Sequence, residues 1–306
     1  MIRPLIFALS RSEKAGRLAM HAPGARSISR RFVAGERQAE VIAAVRRLNA
    51  DGFAASVSFL GEEVTSEAEV DAAVEEFRSF AGAARAQGLR SHISVKLTQL
   101  GLAFDPALAQ KRLGDVLAAA VDAATFVRID MEDSRYTQPT LDIFRAARTR
   151  HENVGVVIQA CLHRSAADIE TLAREGAPVR LVKGAYREPG EIAYQAKRDV
   201  DAAFARLADL YFEHMAEGAW LAVATHDERM VRAALAAARA RGVPGDRFEF
   251  QMLYGIRTGL QRALRDRGHR VRVYVPYGSH WYPYLMRRLA ERPANLWFLL
   301  RNLLRR

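Results

Sequence analysis

The chain has 306 residues, half of them hydrophobic, and a formal net charge of +11. This ordinary globular composition supplies ample apolar material for a core and excludes a disordered chain. The single cysteine, Cys161, excludes an intrachain disulfide and a cysteine-rich metal site, and it fits a reducing interior.

The positive excess comes from 41 arginines beside five lysines, and it is diffuse. Most arginines fall in Ala-rich helical segments such as Arg229 to Arg241, where a solvated helix face accounts for them. Nucleic-acid binding is the partner class such a charge first suggests, but no basic-aromatic motif supports it. The apolar start is interrupted by Arg11, Glu13 and Lys14, too soon for a signal peptide or a membrane span, so a soluble, cytoplasmic protein is expected.

In chain order, residues 1–52 form a helical preface, with Ala39, Ile42, Val45 and Leu48 at helical spacing and Asp51-Gly52 as the stop. Residues 53–306 then alternate two rhythms. Short β-rich runs are expected at Ala54 to Leu60, His92 to Leu97, Phe126 to Asp130 and Gly155 to Ala160. Four more are expected at Val179 to Lys183, Trp220 to Thr225, Phe248 to Leu253 and Val271 to Pro276. Helical patterns separate them at Ser66 to Gln87, Pro106 to Ala123, Gln138 to His151, Ser165 to Glu175, Glu191 to Glu217, Glu228 to Arg241 and Arg257 to Arg267. A last one, His280 to Leu304, closes the chain. Eight such units with near-continuous apolar strands predict an α/β fold of the (β/α)8 TIM-barrel type rather than an open doubly wound sheet. Neither a G-x-G-x-x-G nor a Walker loop argues for the open sheet.

A (β/α)8 barrel builds its site from the C-terminal ends of its strands, and polar residues gather there in this sequence. Lys96 and Lys183 end strands two and five among apolar residues, where an unmatched ammonium costs several kcal/mol. Asp130, on the strand beside that of Lys96, is its natural partner, whether the pair is structural or functional. Arg180 and Lys183 flank the close-approach backbone of Gly184 and Ala185, a setting for a phosphate or a flavin ring. His226 reads equally as a structural histidine or a ligand contact, and Gln159 as a core amide or a hydrogen-bonding partner for a heterocycle. No His-x-x-x-His or carboxylate-rich cluster supports a metal. Tyr284, Arg287, Arg288 and Glu291 share one face of the last helix, and adjacent guanidinium groups suit bidentate capture of a carboxylate. A Schiff-base aldolase with Lys183 or Lys96 as nucleophile is the rival enzyme reading.

Read together, Val95-Lys96-Leu97-Thr98, Arg128-Ile129-Asp130-Met131-Glu132, Val182-Lys183-Gly184-Ala185-Tyr186, Ala224-Thr225-His226 and Tyr284-x-x-Arg287-Arg288-x-x-Glu291 resemble the proline dehydrogenase family. The resemblance runs from about Phe32 to Asn302 and is to the short monofunctional bacterial form. It implies a barrel that holds FAD, oxidises L-proline to Δ1-pyrroline-5-carboxylate by hydride transfer to flavin N5, and passes electrons to a membrane quinone. On the substrate side it implies that Lys96, Arg287 and Arg288 bind the proline carboxylate, that Asp130 orients Lys96, and that Tyr274, Leu253 and Tyr284 shape the pocket. On the cofactor side it implies Met131, Gln159, Lys183, Gly184, Ala185, Thr225 and His226 as FAD contacts, with Arg180 near N5. Glu62, after strand one, is either a latch for Arg287, with Glu291 part of the same gate, or a surface carboxylate. The terminal run from Leu296 to Arg306 fits a peripheral helix at the inner face of the membrane, and equally a packing role within the chain or in an oligomer.

Overall fold

The computed structural model describes residues 29–61, 64–186 and 188–291, with the side chains of 287–291 outside that description. Eight strands, β1 (Ala54–Phe59), β2 (Ser91–Val95), β3 (Val127–Ile129), β4 (Val154–Gln159), β5 (Val179–Val182), β6 (Leu221–Ala224), β7 (Phe248–Leu253) and β8 (Val271–Tyr277), close a barrel in chain order. Every neighbouring pair is parallel, and closure sets Ala54 opposite Arg272 through Phe59 opposite Tyr277. The (β/α)8 expectation is therefore met.

The helices are α1 (Gln38–Ala50), α2 (Glu67–Ala86), α3 (Pro106–Asp122), α4 (Thr137–Arg148), α5 (Ser165–Arg174), α6 (Lys197–Glu213), α7 (Glu228–Ala240), α8 (Thr258–Asp266) and α9 (Trp281–Glu291). Side-chain caps fix three of their starts, with Ser66, Asp105 and Asp227 accepting from first-turn amides. Each of α2 to α7 turns a buried stripe onto the strands, for example Val70, Phe77 and Phe80 on α2 and Phe204, Leu207 and Tyr211 on α6. The aliphatic core thus forms a shell between strands and helices.

Two details depart from the sequence reading. The helix expected over Glu191 to Glu217 begins only at Lys197. Ile192 N and Ala193 N donate to Pro189 O in a turn, and residues 192–194 bridge to the end of β4, with His163 N donating to Ile192 O and Tyr194 N to Cys161 O. The last helix is described to Glu291, and the remainder of the pattern expected to Leu304 lies outside the described residues, as do Glu62 and the terminal apolar run.

The position of α1 governs where α9 can go. Helix α1 packs against β1 and β8, in the outer groove an eighth barrel helix would otherwise fill. Helix α9 instead stays at the C-terminal end, where Trp281, Tyr282, Tyr284 and Leu285 form a separate cluster with Val33 and Leu60. The segment ahead of α1 is strapped across the same end. Ala34 N donates to Pro276 O, Gly278 N to Gly35 O, and the Trp281 indole to Glu36. Gly255, at φ +72°, lies so close to the Arg31 carbonyl that a Cβ would run into it. Gly255→Ala combines a left-handed backbone with that clash, so it is expected to lower stability by at least about 1 kcal/mol, seen as a lower melting temperature.

Candidate active site

Within a strand, side chains alternate between the two faces, so one set of each barrel strand points inward. Here much of that set is polar. Ser56 of β1 and Ser94 of β2 meet at 2.8 Å, and Arg180 of β5 crosses the interior to donate to both, at 3.2 and 3.0 Å. Above them, at the strand exits, three groups converge on Asp130. Arg180 donates to Oδ1 at 2.6 Å, the Tyr274 hydroxyl donates to Oδ2 at 2.7 Å, and Lys96 Nζ lies 3.5 Å from Oδ2. Arg180 also stacks on the Tyr274 ring, 5.3 Å from its centroid. Burial and the Asp130 carboxylate push the Tyr274 phenol above its ordinary range, so it remains the proton donor of this pair.

The loops carrying these groups are stitched together. Lys96 precedes a short 3-10 turn, Leu97–Leu100, whose Gln99 side chain donates to Phe59 O. Thr98 donates to Glu132 through both its amide and its hydroxyl, and Gln159 donates to the Glu132 carbonyl. The exits of β2, β3 and β4 are therefore cross-braced, with Met131 and Gln159 both buried in the brace.

At the exit of β5, Gly184 and Ala185 are exposed, and Gly184 takes φ +110°. A Cβ there would strike Cys161 and approach Gln159 Oε1, so only glycine leaves this surface open. Burial pushes the Cys161 thiol up to about 11, which keeps it neutral beneath that glycine. Lys183 is turned toward Asp201 at 2.5 Å and Asp227 at 3.0 Å, with Lys197 joining both carboxylates. Burial alone would raise Asp201 and Asp227, but the two lysines, joined at Asp227 by the Arg229 amide, outweigh it and hold both below the usual aspartate range. Thr225 is buried and accepts from the Asp227 amide. His226 Nε2 accepts from Leu253 N at 2.9 Å, so the ring proton sits on Nδ1 and the imidazole ties the exit of β6 to that of β7.

Lys96, Asp130, Arg180 and Tyr274 are thus brought into one cluster. Lys183, Thr225 and His226 line the neighbouring exits. Leu253 is half-buried at the end of β7, and Tyr284 is buried in the α9 cluster. Arg287, Arg288 and Glu291 lie on α9, and their side chains are outside the described residues. Sequence reasoning missed Asp201 and Glu132 as anchors. Asp201 sits mid-pattern in a helix and carries no local signal. Glu132, two residues after Asp130 in a strand-exit loop, could have been flagged by position.

An eight-stranded parallel barrel with a buried ionic cluster at its C-terminal mouth defines a (β/α)8 enzyme. The family model for proline dehydrogenase matches residues 41–301. The chain is 40% identical to proline dehydrogenase 1 of Bacillus subtilis over 306 residues, the full length of both, and 39% identical to proline dehydrogenase of Deinococcus radiodurans over 91% of each. Proline utilization A from Bdellovibrio bacteriovorus, solved after inactivation by N-propargylglycine, superposes with a TM-score of 0.80 at 25% identity. That match covers 90% of this chain and 33% of that one, so the chain spans about a third of that protein. The chain belongs to the proline dehydrogenase family, whose enzymes oxidise proline in proline catabolism. Among the described residues no helix is long and apolar enough to cross a membrane.

Asp130→Asn keeps the shape but removes the charge that balances Arg180 and Lys96, and leaving buried cations unmatched is expected to cost about 3 kcal/mol in denaturant unfolding. The Lys183 cluster predicts an acid limb. Because Asp201 and Asp227 titrate lower in the folded than in the unfolded chain, their stabilisation is present above about pH 4 and lost as pH falls through the lowered values. In Lys183→Met the decline in stability below about pH 4 should be shallower; an unchanged decline would assign it to other groups.

Proposed function

We propose that this chain oxidises L-proline to Δ1-pyrroline-5-carboxylate with FAD as cofactor and a membrane quinone as electron acceptor, the first step toward glutamate. The observation that carries the reading is the Asp130 cluster, which gathers Lys96, Arg180 and Tyr274 at the same end of the barrel as the helix bearing Arg287 and Arg288.

The residues present fit a flavin. Arg180 Nε is buried and has no hydrogen-bond partner among the described residues, and Gly184 and Ala185 offer open backbone where a Cβ would close the surface. Met131, Gln159, Arg180, Lys183, Gly184, Ala185, Thr225 and His226 would hold FAD, and Asp201 and Asp227 would keep Lys183 in its orientation. FAD, when bound, supplies the hydride acceptor, N5.

The protein's part is positioning. Lys96, Arg287 and Arg288 bind the proline carboxylate, the guanidinium groups through paired donors. Asp130 holds Lys96 by charge and fixes Arg180 through Oδ1, so the substrate and cofactor sides share one reference atom group. Tyr274 keeps its proton on Oη, donated to Asp130, and with Leu253 and Tyr284 presents apolar surface to the pyrrolidine ring. Burial at this mouth excludes water and strengthens each contact. Glu62 and Glu291 act as a gate, with Glu62 closing on Arg287. The terminal apolar run brings the enzyme to the inner face of the cytoplasmic membrane, where the quinone resides.

The purified protein should be yellow and should bleach on addition of L-proline under anaerobic conditions. Arg288→Met should raise the Km for proline steeply with FAD still bound. A colourless protein, or loss of FAD rather than of proline affinity in Arg288→Met, would overturn the assignment.

A further inference from the structure

Residues 29–36, strapped across the mouth ahead of α1, meet the substrate side of the site at four places. Val33 packs with Leu60, next to the end of β1. The Arg31 carbonyl lies against Gly255, two residues after Leu253. Ala34 N donates to Pro276 O at 2.8 Å and Gly278 N to Gly35 O at 3.0 Å, two and four residues after Tyr274. Glu36 accepts from the Trp281 indole at 3.2 Å, and Phe32 and Val33 join the apolar cluster of α9. The residues argued to hold FAD lie on or just past β3, β4, β5 and β6, whereas the strap runs over the arc from β7 through β8 to β1.

Helix α9 depends on these contacts for its place. A helix of 11 residues is marginal in water on its own, so packing must fix it. Its buried Trp281, Tyr284 and Leu285 recur at spacings of three and four and share one face. Of the described residues outside the helix in that cluster, Phe32 and Val33 come from the strap and Leu60 alone from the barrel. Trp281 is 1% exposed, and a buried indole N–H needs the acceptor that Glu36 supplies. The strap is itself firmly held, because Glu40 in α1 accepts from the Glu36 and Arg37 amides at 3.0 and 3.1 Å and pairs with Arg30 at 3.0 Å.

Arg287 and Arg288 follow Tyr284 by three and four positions, one turn farther along α9, so whatever sets the tilt of the helix sets where the pair is carried. We propose that residues 29–36 are the positioning element of the proline pocket, with Val33 and Glu36 holding α9 through Trp281 and thereby placing the arginine pair for the substrate carboxylate. The inference rests on the reading of Arg287 and Arg288 as carboxylate ligands. Val33 and Glu36 act through the helix rather than on the substrate, and their separation from β3 to β6 confines their influence to proline.

The test is steady-state proline kinetics on the full-length holoenzyme, with FAD affinity measured in parallel by flavin fluorescence. Val33→Asp puts a charge into the seat of α9; Glu36→Ala removes the indole's acceptor, and Glu36→Gln keeps one. Val33→Asp should raise the Km for proline about tenfold or more and Glu36→Ala about threefold, with kcat and FAD affinity within about twofold of wild type and Glu36→Gln restoring the wild-type Km. In an Arg288→Met background neither strap variant should raise the Km further. An Arg288→Met variant with unaltered Km removes the reading of α9 and the strap proposal with it. If Arg288→Met raises the Km but the strap variants do not, or do so only together with loss of FAD or equally in the Arg288→Met background, the strap proposal alone is overturned. The Glu36→Ala and Glu36→Gln pair decides the matter should Val33→Asp fold poorly.

Discussion

Asp130 sits where β2, β3, β5 and β8 present charged or polar side chains to one another, and its two oxygens divide the contacts. One takes the Arg180 guanidinium and the other takes Tyr274 and Lys96. A carboxylate in this position is tolerable only because it is matched on every side, and the cations are tolerable only because it is there. The dependence reaches downward as well, since the same guanidinium that grips Asp130 also holds Ser56 and Ser94 in the middle of the barrel. Geometry at the mouth is therefore tied to the register of the strands beneath it.

That arrangement splits the molecule into two kinds of packing. Outside the strands, helices bury aliphatic and aromatic side chains in a continuous shell. Inside, serines, arginines, Glu249 and Gln251 replace much of the branched aliphatic filling such barrels commonly use. Polar groups in that space must find directional partners, so the interior specifies which strand faces which, while the shell supplies the hydrophobic driving force.

The legibility of the sequence follows the same division. The strands could be read because both faces of the sheet are covered and their apolar runs are short and uninterrupted; β7 has the expected bounds, and the others shift by a residue or two at either end. The Lys96–Asp130 pair was legible because adjacent strands carry it. The Arg180–Asp130 contact was not, since β3 and β5 are not neighbours and only the interior brings them together. Arg180 was expected as a catalytic residue and cofactor contact near N5, and it is also the shortest ion-pair partner of Asp130. His226 had two open readings, and its bond to Leu253 gives it a structural duty whatever else it touches. The strap over residues 29–36 was invisible because two of its anchors, at Ala34 and Gly35, are backbone groups and its side-chain contacts through Val33 and Glu36 reach residues about 250 positions away, although Gly255 and Gly278 marked the points where another chain segment passes close.

That strap sets the order in which the molecule can be completed. Trp281 and Glu36 are 245 positions apart, and the cluster around α9 joins Val33 to Leu285. Contacts so distant in sequence are the slowest to form, because the intervening chain must first be ordered. During synthesis the helix bearing Arg287 and Arg288 emerges after all eight strands, and its seat is built partly from a segment that precedes them. A chain interrupted before Trp281 could pair all eight strands and still lack the helix that carries the arginine pair, so the catalytic mouth is assembled only when early and late segments of the chain meet.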